Sequence, residues 1–222
     1  MAADFRLAVL ASGRGSNLQS LVDAQRRDGW PARVVGVFSD KPESGAIALA
    51  KSLGIPTHAQ RPRDFAARAD FDAALFDQIL AVQPDLIVCA GYMRLISAAA
   101  VQRVAGRMIN IHPSLLPRHP GLDTHGRALA AGDAEHGASV HLVIPELDAG
   151  QPLAQARVPV FASDGTETLA ARVLAREHPL LVATVEWLAR GRLRVVDGHA
   201  QFQGHALSSP LVLQADDTLR AP

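Results

Sequence analysis

The stretch Leu7-Ala8-Val9-Leu10-Ala11-Ser12-Gly13-Arg14-Gly15-Ser16-Asn17-Leu18 decides the fold. Leu7 to Leu10 is a short apolar run, the pattern of a strand buried on both faces. It stops at Ser12-Gly13-Arg14-Gly15-Ser16, small and polar residues that read as a tight turn. From Asn17 to Arg27, Leu18, Leu21 and Val22 recur at helical spacing, with Asn17 placed as the N-cap. A buried strand, a Gly-rich turn and an amphipathic helix are the opening unit of an α/β protein.

Outward from this unit the alternation repeats. Val34 to Phe38 is a second strand, and Ser44 to Leu53 a helix closed by Gly54. Ile55 to His58 reads as a third strand and Phe71 to Val82 as a helix with Pro84 just beyond it. Asp85 to Ala90, ending at Gly91, is a fourth strand, and Arg107 to Ile111 a fifth. Alternation of this kind predicts a Rossmann-like α/β fold: a mostly parallel, twisted sheet with helices on both faces. Such sheets bind ligands beyond the carboxyl ends of their strands.

After Val140 the pattern changes. Ser139 to Ile144 and Ala154 to Val160 read as strands with no helix between them, separated by the turn Asp148-Ala149-Gly150. Antiparallel pairing follows, then a long helix from Thr166 to Arg190 and a short strand, Leu193 to Val196. Residues 197–222 have little periodicity and read as a peripheral tail. The expectation is one domain over 1–222, with subregions at about 5–105 and 106–196 and a cleft between them.

Composition bounds the function. The chain has 222 residues, 48% of them hydrophobic, enough for a sizeable core. Lys and Arg number 22 and Asp and Glu 22, so no basic surplus points to nucleic acid. No apolar run approaches the roughly 18 residues of a membrane helix, and no secretory signal is recognised. A single cysteine, Cys89, excludes an internal disulfide. The expectation is a cytoplasmic protein with small-molecule partners, no nucleic acid and no membrane, as a monomer or homodimer. Its nine histidines show no HExxH or Cys-His spacing, so no metal is expected.

Three segments carry candidate chemistry. Ser12 to Asn17 offers glycines and free N–H groups at a helix start, which suit a phosphate. The spacing is no Walker loop, and an ordinary βα turn accounts for it equally well. Asn110 and His112 lie two apart on a strand and so share a face, a carboxamide beside an imidazole at the strand's carboxyl end. A capped strand end with a hydrogen-bonded His is the plainer alternative. Asp148, beside Gly150, is a common turn former and gains a role only if the fold brings it to His112.

Asn110-Ile111-His112-Pro113-Ser114-Leu115-Leu116-Pro117 resembles the signature of the folate-dependent formyltransferases. Pro120 to His125, His136 to His141 and Glu146 to Gly150 resemble the glycinamide ribonucleotide branch of that family, and Ser12 to Leu18 resembles its phosphate loop. The resemblance spans about residues 5 to 195. It implies transfer of the formyl group of 10-formyltetrahydrofolate, a co-substrate, to the amine of glycinamide ribonucleotide in purine synthesis. It also implies Asn110, His112 and Asp148 as the catalytic trio. Gly15, Ser16, Asn17 and Glu177 would hold the ribonucleotide. Arg68, Met93, Arg94, Leu95, Ile96, Val143 and Ile144, with Asn110 and Asp148, would hold the folate. Ser139 and His141 line the same region by analogy. Alternatives are another formyltransferase, such as one acting on initiator tRNA, a hydrolase that releases formate, or a silent binding protein. The first would want a basic surface, which this chain lacks.

Overall fold

Apolar runs too short for helices, each closed by a turn former, become the strands of the first half. The computed structural model describes residues 5–27 and 29–221; residues 1–4, 28 and 222 lie outside it. The chain divides into two compact units, one up to Asn110 and one from Ile111 onward.

The first unit alternates β1 (Phe5–Leu10), α1 (Ser16–Gln25), β2 (Ala32–Ser39), α2 (Gly45–Ser52), β3 (Thr57–Ala59), α3 (Arg68–Ala81), β4 (Leu86–Cys89), α4 (Ala98–Gln102) and the start of β5 (Met108–His112). Its strands lie in the order β5-β4-β1-β2-β3, and the neighbouring pairs are parallel. That is the doubly wound order, in which right-handed crossovers put successive helix pairs on opposite faces. Accordingly α1 packs with α2, and α3 with α4. Leu7, Leu10, Phe38, Phe71, Phe76, Ile87 and Ile109 are fully buried between sheet and helices. Full burial of one such side chain stabilises the fold by about 1.5–3 kcal/mol.

The predicted N-cap of α1 needs correcting. The helix begins at Ser16, its cap is Gly15 at φ 89°, and Asn17 is already within the first turn. A left-handed cap favours glycine, because a β-carbon there crowds the following carbonyl.

The second unit carries α5 (Thr124–Ala130), β6 (Glu135–Leu142), β7 (Pro152–Pro159), α6 (Thr166–Ala189), β8 (Leu193–Val196), β9 (His199–Phe202), β10 (His205–Ala206), β11 (Leu211–Leu213) and β12 (Leu219–Arg220). β6 and β7 are antiparallel, as expected from the absence of a helix between them. α6 covers them with Leu169, Val173, Leu180, Leu181 and Val185, all fully buried.

The segment after 196, expected as a loose tail, is instead woven into this unit. β8, β9 and β10 form an antiparallel sheet, while β11 adds in parallel to β7 and β12 returns along β11. Leu211, Leu213 and Leu219 are buried. Polar side chains fasten the segment too: the Arg176 guanidinium donates to Asp217 at 2.7 Å and to the Gln214 carbonyl at 2.6 Å. Gln151 accepts from Ala200 N–H and donates to the Leu207 carbonyl, both at 2.9 Å. These partners are distant in sequence, so local periodicity carries no trace of them.

Candidate active site

The site is clearest where β5 ends. Met108, Ile109 and Ile111 are buried in the core, whereas Asn110 is half-buried and His112 is buried at the strand's carboxyl end. Strand periodicity gives Asn110 and His112 a common face.

Around His112 the second unit assembles an electrostatic cluster. Its Nε2 lies 3.1 Å from the His119 carbonyl. A carbonyl oxygen only accepts, so Nε2 is the donor. The other ring nitrogen, Nδ1, faces Asp148 Oδ2 at 3.5 Å. The fold therefore brings Asp148 to His112, the condition on which its role depended. Asp148 Oδ2 also accepts from Gly121 N–H at 2.8 Å, and Oδ1 lies 3.6 Å from His141 Nε2. His141 Nδ1 donates to the Leu142 carbonyl at 2.9 Å. Two imidazoles, each anchored through one nitrogen to a backbone carbonyl, thus turn their other nitrogen to one carboxylate. Burial pushes the His141 pKa down, and the His112 charge adds to that. The Leu142 bond and Asp148 work in the opposite direction.

Asp148 reaches this point through a constrained turn. Its own backbone is left-handed at φ 50°. Gly150, at the turn's end, runs so close to the strand that a β-carbon there would lie 1.8 Å from the Leu142 carbonyl oxygen. Val143 is half-buried and Ile144 is exposed along the same loop.

A second group of histidines follows on the same unit. His125 Nδ1 and His136 Nε2 are 3.1 Å apart, so one ring donates and the other accepts. Burial, then the neighbouring His125 and His119, push the His136 pKa down to about 4. His119 Nε2 meets Asp133 Oδ2 at 2.7 Å, and Arg118 pairs with the other oxygen of Asp133. Sequence reading did not single out Asp133 or Gln155; an acid after a helix and an amide within a strand carry no local signal of what they touch.

The first unit holds the phosphate-loop candidates. Gly15 is pressed against α2, where a β-carbon would lie 2.9 Å from Ala46 Cα, and Ala46 N–H donates to the Gly13 carbonyl at 3.0 Å. The N-terminus of α1 has no side-chain cap, and the positive end of its dipole suits an anion. Ser16 is exposed and Asn17 buried.

Ser12 ties this loop to the 91–96 segment. Its Oγ donates to buried Asp40 at 2.6 Å and accepts from Met93 N–H at 3.1 Å, and its N–H donates to the Gly91 carbonyl at 3.0 Å. Met93 and Leu95 are exposed apolar side chains, and Ile96 is half-buried. The Arg94 guanidinium lies over the Phe71 ring, and Arg68 is the exposed first residue of the same helix, α3.

Glu177 is on the buried face of α6 with Val173 and Leu180. Cys89 is buried in β4, its thiol pushed up to about 12 by desolvation, which leaves it no nucleophilic character at neutral pH. Among the described residues, no group of three or more His, Cys, Asp or Glu side chains is placed to hold a metal ion. Nor is any helix among them long and apolar enough to cross a membrane.

The model of the formyl transferase family matches residues 5–185. The chain is 44% identical over 201 residues to the phosphoribosylglycinamide formyltransferase of Escherichia coli strain K12, an alignment covering 90% of this chain and 95% of that one. It is 45% identical over 196 residues to the enzyme of that name from Mycobacterium tuberculosis, covering 87% and 89%. The solved structure of the phosphoribosylglycinamide formyltransferase from Coxiella burnetii, in complex with CHES, superposes with a TM-score of 0.88 at 41% identity, over 92% of this chain and 96% of that one. This chain belongs to the formyl transferase family.

Proposed function

We propose that this chain transfers the formyl group of 10-formyltetrahydrofolate to the primary amine of glycinamide ribonucleotide, yielding the N-formyl product and tetrahydrofolate in purine synthesis. The observation that carries the reading is the His112–Asp148 pair at the end of β5, two residues beyond Asn110, in a member of the formyl transferase family. The high identity to relatives that bear the corresponding name supports the choice of acceptor.

In this reading the substrate amine attacks the formyl carbon and gives a tetrahedral intermediate with a negative oxygen. Donors pre-aimed at that oxygen lower the barrier; losing one such donor costs about 3–4 kcal/mol. The Asn110 amide N–H and protonated His112, through its Nδ1–H beside Asp148, supply them. With Nε2 held by the His119 carbonyl, Nδ1 is the ring nitrogen that serves the reaction. Asp148 orients the ring and passes the proton lost by the attacking nitrogen, through water, towards the departing folate nitrogen. The C–N bond to the folate breaks as the oxyanion collapses. No covalent enzyme intermediate forms, because the nucleophile belongs to the substrate.

Gly15, Ser16 and Asn17 hold the ribonucleotide phosphate on the α1 dipole, and Glu177 accepts from its ribose hydroxyls. The pterin head lies against Met93, Leu95, Val143 and Ile144. Backbone groups of Arg94 and Ile96 bond its edge, and Arg68 meets the acidic end of the folate. The reading of residues 1–222 as one formyltransferase domain and a cytoplasmic location, where a lone thiol stays reduced, belong to the same proposal.

The test follows folate release by absorbance with 10-formyltetrahydrofolate, with and without the ribonucleotide. Release that requires the ribonucleotide and yields its formylated product supports the reading. Equal release without it identifies a hydrolase and overturns the reading.

A further inference from the structure

The eight residues from His112 to His119 form a turn whose hydrogen bonds converge on one outcome: the His119 carbonyl comes back to the His112 ring. Reaching that position places His119 at φ 52°, a left-handed backbone uncommon for a non-glycine residue. Such a conformation persists only where surrounding contacts over-determine it.

Two anchors do so here. At the far end, Asp133, whose side chain is 3% exposed, meets His119 Nε2 at 2.7 Å and also pairs with Arg118. Nearer His112, Gln155 Nε2 donates to the Leu116 carbonyl at 2.7 Å and to Ser139 Oγ at 3.0 Å. Ser139 Oγ in turn accepts from Leu116 N–H at 3.0 Å and donates to the Ser114 carbonyl at 2.7 Å. Ser114 closes the turn on itself, its Oγ donating to the Arg118 carbonyl at 2.7 Å and its N–H to the His112 carbonyl at 2.9 Å.

We propose that this turn is a tautomer lock for His112, with Asp133 and Gln155 as its positioning residues. The His119 carbonyl keeps a proton on Nε2. That leaves Nδ1, opposite Asp148, as the single nitrogen through which His112 exchanges a proton. Neither residue touches the reacting atoms; both act through the backbone of the turn. The proposal rests on the reading of His112 as catalytic for its kinetic consequence, but its structural core is independent of substrate.

The experiment is nitrogen NMR of ring-labelled histidine on the whole protein without ligands, at a pH where His112 is neutral. In the wild type, Nε2 of His112 should give a pyrrole-like shift and Nδ1 a pyridine-like one. In Asp133→Ala the two shifts should move towards each other as both tautomers populate. Turnover in formyl transfer should fall about 10- to 100-fold, with the KM for the ribonucleotide changed less than about twofold. Asp133→Asn keeps an acceptor for His119 and should retain the wild-type shifts. If Asp133→Ala does not fold, Gln155→Met loosens the same turn from its other anchor and is read in the same way.

A folded Asp133→Ala or Gln155→Met protein with wild-type His112 shifts overturns the proposal, as does a wild type protonated at Nδ1 alone. A wild type with the expected shifts but no formyl transfer overturns the functional reading and leaves the lock standing.

Discussion

Asp148 occupies a left-handed backbone position, accepts from Gly121 N–H and faces two imidazoles. Asn tolerates the same backbone, so Asp148→Asn keeps the turn while removing the charge. If Asp148 carries the proton as proposed, turnover falls about 100-fold or more with little change in thermal midpoint; a formyl-transfer assay near the wild-type rate would remove Asp148 from the mechanism. Gly150 is a different kind of residue. A β-carbon 1.8 Å from the Leu142 carbonyl cannot be accommodated without moving the strand. Gly150→Ala should lower the thermal midpoint by about 6–12 °C, read by calorimetry, and carry activity down with it because the Asp148 turn shifts.

At the scale of elements, β1, β2, β4 and β5 were readable because each is an apolar run between turn formers, and the parallel order of β1 to β4 followed from the helices between them. α4 and α5 were missed: Ala98–Gln102 and Thr124–Ala130 are too short to show helical periodicity. The strands after 196 were missed for another reason. β11 is three residues long and exists because β7 offers it an edge. A chain ended at residue 197 would expose that edge and the surfaces that Leu211, Leu213 and Leu219 cover. At about 1.5–3 kcal/mol for each buried leucine, the truncated protein should unfold at clearly lower urea and aggregate on warming. An unchanged urea midpoint would show the segment to be dispensable.

Across the whole molecule, the acid stability profile follows from its buried imidazoles. His136 is held at about 4, against an ordinary value of 6.5, and His125, His141 and His178 are lowered too, each chiefly by burial. Below about pH 6.5 the unfolded chain takes up protons that the folded chain refuses. The stability these groups contribute is therefore complete above 6.5 and is lost as pH falls through the folded values, down to about 4 for His136. Urea midpoints should decline over that window, and His136→Gln, if it folds, should flatten part of the decline. A midpoint that stays level from pH 7 to 4 contradicts the burial argument.

The sequence by itself determined the alternating α/β plan, the antiparallel change after Val140 and the short strand end that carries Asn110 and His112. Each of these rests on interactions between near neighbours in the chain: strand and helix periodicity, turn chemistry and caps. The three-dimensional arrangement decided the rest. Asp148 lies 36 positions beyond His112 in the chain, and only the fold sets their 3.5 Å separation. Asp133 and Gln155 as anchors of the 112–119 turn and the pairing of β11 with β7 are likewise long-range contacts. A hydrogen bond or a buried surface between residues far apart in sequence leaves no period for a local pattern to record.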